Sequence, residues 1–63
     1  MNITMKQIKA KMEELYKAWL DHNDESYFEF WDSLRTLRNL YLLDDDKWNK
    51  IYDYDRELAT KYN

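Results

Sequence analysis

The chain contains no glycine, no proline and no cysteine in its 63 residues. Average proteins hold about 7% Gly and about 5% Pro, so the absence of both is a strong compositional bias. Without Gly no residue adopts positive φ cheaply, which excludes glycine-rich phosphate loops, dinucleotide fingerprints and Asn-Gly hairpins. Without Cys there are no disulfides, thiolate nucleophiles, Cys-ligated zinc sites or iron–sulfur clusters. Nucleotide-binding and β-rich folds are therefore disfavoured, and packing alone must hold the fold.

Long apolar runs and targeting signals are also missing from the sequence. No apolar stretch approaches the roughly 18 residues of a membrane span, and residues 1–6 show none of the segments of a signal peptide. The net charge is -3. These features predict a single domain over residues 1–63 in the cytoplasm, without a membrane partner. A chain this short buries only about 60% of its unfolded surface, so association with a partner would stabilise it.

Three amphipathic segments fill the chain and predict an all-α fold, a small three-helix bundle with antiparallel up-down-up connections. The expected helices span about residues 4–21, 26–39 and 44–62. An open arrangement with one helix docked on a second protomer is the alternative.

Residues that favour helix ends mark the boundaries of these segments. Thr4 with Gln7 and Ser26 with Glu29 fit capping boxes, and Asn23 is a second possible cap for helix two. One aspartate of the run 44–46 is expected to cap helix three. Asn39 is expected to close helix two in the left-handed conformation, as the alternative to glycine.

Apolar residues at spacings of three and four predict the core. The inward positions are Met5, Ile8, Met12, Leu15 and Trp19 in helix one, Tyr27, Phe30, Leu34, Leu37 and Tyr41 in helix two, and Trp48, Ile51, Tyr52, Leu58 and Tyr62 in helix three. Asp55 interrupts the apolar stripe of helix three, and Trp31 widens the apolar stripe of helix two.

The apolar class exceeds what such a core can hold. It makes up 44% of the chain and includes three Trp, six Tyr and two Phe, whereas a bundle of this length needs about five inward residues per helix. The residues expected outside or at the margin of the core are Tyr16, Leu20, Phe28, Trp31, Leu42, Leu43 and Tyr54. They could form a wide core with a few surface tyrosines, or an interface.

The interface interpretation centres on helix two, where Phe28 and Trp31 are three residues apart. Trp, Tyr and Arg are the residue types that anchor protein interfaces. We therefore expect a partner-binding patch with Phe28, Trp31 and Arg35 at its centre. The expected acidic rim consists of Glu25, Glu29 and Asp32.

Acidic residues concentrate at the start of helix two, since residues 21–33 contain no Lys or Arg. If helical phasing extends back to Asp21, that residue forms a carboxylate row with Glu25, Glu29 and Asp32, about 6 Å per four-residue step. A solvated helix face explains such a row, and so does a nucleic-acid mimic that occupies a basic groove. Direct nucleic-acid binding is not expected, because helix three is net negative and provides no basic recognition helix.

The sequence offers little for catalysis or metal binding. His22 is the only histidine, and with Asp21, Asp24 and Ser26 it lies in a polar turn where a solvent-facing role is the more common one. The aspartate run 44–46 lacks the Gly and the spacing of a calcium loop. No catalytic residue, metal ligand, cofactor or small-molecule substrate is predicted.

The Lys-, Asn-, Asp- and Tyr-rich composition in a short chain resembles that of small accessory proteins of AT-rich phages and mobile elements, a resemblance of composition rather than of motif. It implies a stoichiometric inhibitor or adaptor that binds a host or defence protein. The sequence thus predicts a non-enzymatic protein-binding module. The alternatives are a homo-oligomeric helical subunit, such as a homodimer, and a nucleic-acid mimic.

Overall fold

A computed structural model of the chain describes residues 4–62. It contains three helices, α1 over Met5–His22, α2 over Ser26–Asn39 and α3 over Asp45–Lys61. The bounds nearly coincide with those predicted from the sequence. The bundle measures 33 × 19 × 17 Å along its principal axes.

The connections follow the predicted antiparallel up-down-up order. Trp19, near the end of α1, stacks edge-on against Phe28, near the start of α2, with ring centroids 4.8 Å apart. Tyr27 at the start of α2 donates a hydrogen bond to Asp55 toward the end of α3. Each helix therefore runs opposite to the one before it, and the all-α three-helix bundle is confirmed.

The capping box predicted for α1 is present. Thr4 N donates to Gln7 Oε1 at 2.9 Å, and Gln7 N donates to Thr4 Oγ1 at 3.2 Å. The box satisfies two of the backbone N–H groups that a helix start leaves without partners. The sequence signal was sufficient here because both partners are local.

The turn between α1 and α2 differs from the prediction. Asn23 adopts the left-handed conformation, with φ 55°, and caps the end of α1 instead of starting α2. Asp24 Oδ1 accepts from Ser26 N at 2.9 Å and from Ser26 Oγ at 2.6 Å. The predicted Ser26–Glu29 box is therefore wrong: Glu25 is the N-cap residue, and its side chain makes no capping hydrogen bond.

The turn after α2 places its left-handed residue later than predicted. Asn39 remains helical, and Tyr41 has φ 61°. Tyr41 N donates to Arg38 O at 3.0 Å and Leu42 N donates to Leu37 O at 2.9 Å. These bonds close the last turn of the helix. The chain then reaches Asp44, whose Oδ1 accepts from Lys47 N at 2.8 Å and caps α3 as expected.

The buried core lies among the three helices and includes one residue of the second turn. Its members are Ile8, Met12, Tyr27, Trp31, Leu34, Leu43, Trp48, Ile51 and Leu58. Two residues expected outside or at the margin of the core, Trp31 and Leu43, are inside it. Two expected inside, Tyr41 and Tyr52, are 95% and 45% exposed. Trp31 is covered because α3 packs over it, and the reversal at Tyr41 leads the chain back so that Leu43 joins the core.

Candidate protein-binding groove

A groove of about 290 Å³ lies between α2 and α3. Helix α1 packs against both other helices, whereas the backbones of α2 and α3 approach each other at fewer positions. Side chains therefore line the space between α2 and α3 without filling it. We call this feature the α2/α3 groove; its lining consists of Tyr27, Phe28, Trp31, Asp32 and Arg35 from α2 and of Tyr52 and Asp55 from α3.

The floor of the groove is aromatic and structural. Trp31 is 7% exposed. Its ring lies perpendicular to Trp48 with centroids 5.7 Å apart, and 5.2 Å from the ring of Tyr52. Each such ring pair adds about 0.5 to 1.5 kcal/mol beyond burial. Trp31 therefore holds α2 and α3 together, and the expectation that it lies outside or at the margin of the core is wrong.

Two exposed aromatic side chains also line the groove, Phe28 at 47% and Tyr52 at 45% exposure. Phe28 lies edge-on to Trp19 at 4.8 Å and to Tyr27 at 5.8 Å. Tyr52 is fixed by Trp31 and by Trp48, the latter at 5.4 Å. Both rings are thus held in place, although nearly half of each faces solvent.

A cation already lies on the aromatic floor. The Arg35 guanidinium is 5.8 Å from the ring centroid of Trp31, within reach of a cation–π interaction. Its Nη1 also lies 2.8 Å from Asp32 Oδ1. Both side chains are more than half exposed, so the ion pair itself contributes little to stability. Its effect is to hold Arg35 against the groove and to compensate the charge of Asp32.

A carboxylate from α3 lies in the same groove. Asp55 is partly buried and its Oδ1 accepts the hydrogen bond from the Tyr27 hydroxyl. Burial, together with this hydrogen bond to Asp55, raises the pKa of Tyr27 above its ordinary value. The carboxylate that interrupts the apolar stripe of α3 is thus a polar bridge between α2 and α3.

The acidic residues predicted for the rim do not all reach the groove. Asp32 lines it, whereas Glu25 and Glu29 are exposed and are not part of its lining. Asp21 belongs to α1, which ends at His22. The helical phasing that a four-member carboxylate row requires is therefore broken by the turn, which weakens the resemblance to a nucleic-acid backbone.

A second depression of about 560 Å³ lies at the turn between α2 and α3. Arg38 lines it, with its guanidinium 5.0 Å from the ring centroid of Trp48 and 3.5 Å from Asp45 Oδ1. Leu40, Tyr41 and Leu42 are 61%, 95% and 64% exposed at this turn. The turn is therefore the most apolar exposed segment of the described chain.

Tyr52 and Asp55 are groove residues that were not predicted from the sequence, where Tyr52 is expected in the core and Asp55 interrupts the apolar stripe. A usable signal was present. Trp48, Tyr52 and Asp55 follow a spacing of four and three residues, which places them on one helix face. A carboxylate on an otherwise aromatic face indicates a surface with a polar role.

His22, Asp24 and Ser26, near the turn between α1 and α2, are not arranged for catalysis. His22 ends α1 and is exposed, while the Ser26 hydroxyl donates to Asp24 at 2.6 Å. The hydrogen bonds from Ser26 lower the pKa of Asp24. Within residues 4–62, no group of three or more His, Asp or Glu side chains is placed to hold a metal ion.

No described helix has the length and apolar character that crossing a membrane requires. Comparison with known protein families, with curated proteins and with solved structures finds no match to this chain.

Proposed function

We propose that this protein is a small non-enzymatic module that binds another protein through the α2/α3 groove. The observation that carries the proposal is the exposure of Phe28 and Tyr52, 47% and 45%, beside the buried Trp31 in one groove. Interface hot spots are aromatic side chains and arginines surrounded by contacts that exclude water. The groove combines both residue types.

The fixed position of these rings favours binding. Phe28 rests on Trp19 and Tyr27, and Tyr52 rests on Trp31 and Trp48. Side chains that are already ordered lose less conformational entropy when a partner covers them. Phe28, Trp31, Asp32 and Arg35 of the predicted patch lie together in the groove, with Trp31 as its floor.

The finer role remains a proposal based on composition. The resemblance to small accessory proteins of phages and mobile elements favours an inhibitor or adaptor that acts by occupying a host or defence protein in the cytoplasm. Such a role requires one stable contact surface and no catalytic group. The α2/α3 groove is suited to it for that reason.

Capture of binding proteins from a bacterial host lysate tests the proposal with a matched pair of variants. Phe28→Ala removes an exposed ring from the groove, and Leu20→Ala removes a comparably exposed side chain, 44%, outside its lining. We expect Phe28→Ala to reduce capture of a specific partner by about fivefold or more, as expected for an interface anchor worth over about 1 kcal/mol. Leu20→Ala should retain capture.

Equal capture by Phe28→Ala and the unchanged protein would contradict the proposal, provided that both variants keep their helical circular dichroism. The homo-oligomer alternative depends on the same exposed rings. Sedimentation across a micromolar dilution series distinguishes the two, because self-association through the groove gives a dimer that Phe28→Ala dissociates. A monomer at all concentrations leaves the groove free for another protein.

A further inference from the structure

Asp55 is the one groove residue whose charge the fold leaves uncompensated. Among residues 4–62 the ion pairs connect Lys11 with Glu14, Arg35 with Asp32, Arg38 with Asp45, Lys50 with Asp46 and Lys61 with Glu13. Asp55 takes part in none of them. Its Oδ1 accepts from Tyr27, but a hydroxyl donor does not neutralise a carboxylate. A partly buried carboxylate in an aromatic groove is a favourable position for a cation from outside.

The groove also shows which kind of cation it accommodates. The Arg35 guanidinium lies 5.8 Å from the ring centroid of Trp31 while it pairs with Asp32 at 2.8 Å. An aromatic ring and a carboxylate thus hold one guanidinium together. Tyr52 and Asp55 provide the same two chemical groups on the α3 side of the groove, with the ring 45% exposed.

We propose that the α2/α3 groove binds an arginine side chain of the partner protein, with its guanidinium paired to the Asp55 carboxylate and packed against the ring of Tyr52. This assignment rests on the proposed function and specifies the chemistry of the partner. Phe28 then contacts an apolar residue next to that arginine.

Charge complementarity selects this occupant over an uncharged apolar segment. Asp32 and Asp55 bring two negative charges to the groove and Arg35 brings one positive charge. The lining is therefore left with a net negative charge at Asp55, in a chain whose net charge is -3. Arginine suits the site better than lysine, because its guanidinium is planar, more weakly hydrated and able to stack on an aromatic ring while it binds a carboxylate.

Two peptide probes that differ only in charge test the assignment. The first is acetyl-Leu-Arg-Leu-amide, and the second carries citrulline, the neutral isostere of arginine, at the central position. Binding is followed by the NMR shifts of the Trp31 indole N–H and the Tyr52 backbone N–H during titration. We expect the arginine peptide to bind about fivefold more tightly, the effect of one cation–π contact and one ion pair, and to lose affinity as salt is added.

A matched pair of variants locates the effect. Asp55→Asn removes the charge but keeps an oxygen that accepts from the Tyr27 hydroxyl, so the fold should persist. Asp53→Asn makes the same charge change at an exposed position of α3 outside the groove. Asp55→Asn should abolish the preference for arginine over citrulline, whereas Asp53→Asn should preserve it.

Three results would overturn the assignment. Equal affinity for both peptides, with shifts at the groove residues, means that the groove binds apolar segments whether or not they carry a positive charge. The proposed function then stands and only the arginine assignment fails. Absence of shifts with either peptide also rejects it, and the capture experiment with Phe28→Ala decides the proposed function separately. Retention of the arginine preference in Asp55→Asn rejects Asp55 as the acceptor.

Discussion

The aliphatic part of the core and the α2/α3 groove use different chemistry to join helices. Ile8 and Met12 of α1, with Ile51 and Leu58 of α3, are at most 2% exposed and contribute only apolar surface. The α2/α3 groove is bordered by rings, an arginine and two carboxylates, and it remains partly open. The aliphatic part of the core stabilises the fold but has no surface that a partner could contact. The α2/α3 groove stabilises the fold through its buried floor and also exposes side chains that a partner could bind.

The largest predicted effect tests whether the groove floor belongs to the core. Trp31→Ala should lower the free energy of unfolding by about 3 to 5 kcal/mol, because it removes a buried ring and leaves a cavity against Trp48. Met12→Ala, in the aliphatic part, should cost about 2 to 5 kcal/mol. Urea denaturation followed by circular dichroism measures both.

A loss of this size is comparable to the whole stability of a domain this small, so Trp31→Phe provides a folded comparison. It should destabilise less than Trp31→Ala, because it retains a ring. A cost below about 1 kcal/mol for Trp31→Ala would show that the floor is peripheral and that the two regions are energetically separate.

The next effect concerns the polar bond that crosses the groove. Tyr27→Phe removes the hydroxyl that Asp55 accepts from, and it should cost about 1 to 2 kcal/mol at neutral pH. In the unfolded chain the Tyr27 hydroxyl loses its proton at about pH 10. Its pKa is higher in the folded protein, so the folded protein keeps this proton to higher pH. The stabilisation is therefore complete below about pH 10 and declines as the pH rises further.

Urea midpoints at neutral and alkaline pH measure this decline. The midpoint should fall more between the two conditions in the unchanged protein than in Tyr27→Phe, and the difference isolates Tyr27 from the lysines that titrate in the same range. An identical pH dependence of the urea midpoint in both proteins would mean that Asp55 and burial do not favour the protonated Tyr27 hydroxyl. The contribution of the groove to stability would then be independent of pH, as is that of the aliphatic part of the core.

The two regions also differ in how well the sequence predicts them. Spacing places Ile8, Met12, Ile51 and Leu58 in the core correctly, because each lies on the central apolar stripe of its helix. Trp31 lies four residues after Tyr27 and three before Leu34, and these three are the buried residues of α2. The same spacing also fits the expected stripe through Phe30 and Leu37, which are only partly buried, and the packing of α3 over Trp31 decides between the two.

Helix ends show the same distinction. Thr4 with Gln7 and Asp44 are satisfied by their own backbone neighbours, so the sequence identifies them. At the start of α2, Ser26 donates to Asp24 through both its N–H and its hydroxyl instead of forming a capping box with Glu29, and the sequence does not show which of these two local pairings forms. Tyr52 was misplaced because its ring both contacts Trp31 and faces solvent, a dual position that hydropathy does not distinguish from burial.

The smallest predicted effect lies at the turn beyond the groove and has the opposite sign. Tyr41 has φ 61° and is 95% exposed, so its backbone is strained while its side chain adds almost no packing. Tyr41→Gly should stabilise the fold by up to about 1 kcal/mol, because glycine adopts the left-handed conformation without a Cβ clash and this gain exceeds its greater loss of chain entropy.

Leu40→Gly is the matched control, since Leu40 has φ -88° and there glycine should cost about 0.5 to 1 kcal/mol. Thermal unfolding of both variants measures the contrast, and a lower Tm for Tyr41→Gly would show that the tyrosine ring stabilises the turn despite its exposure.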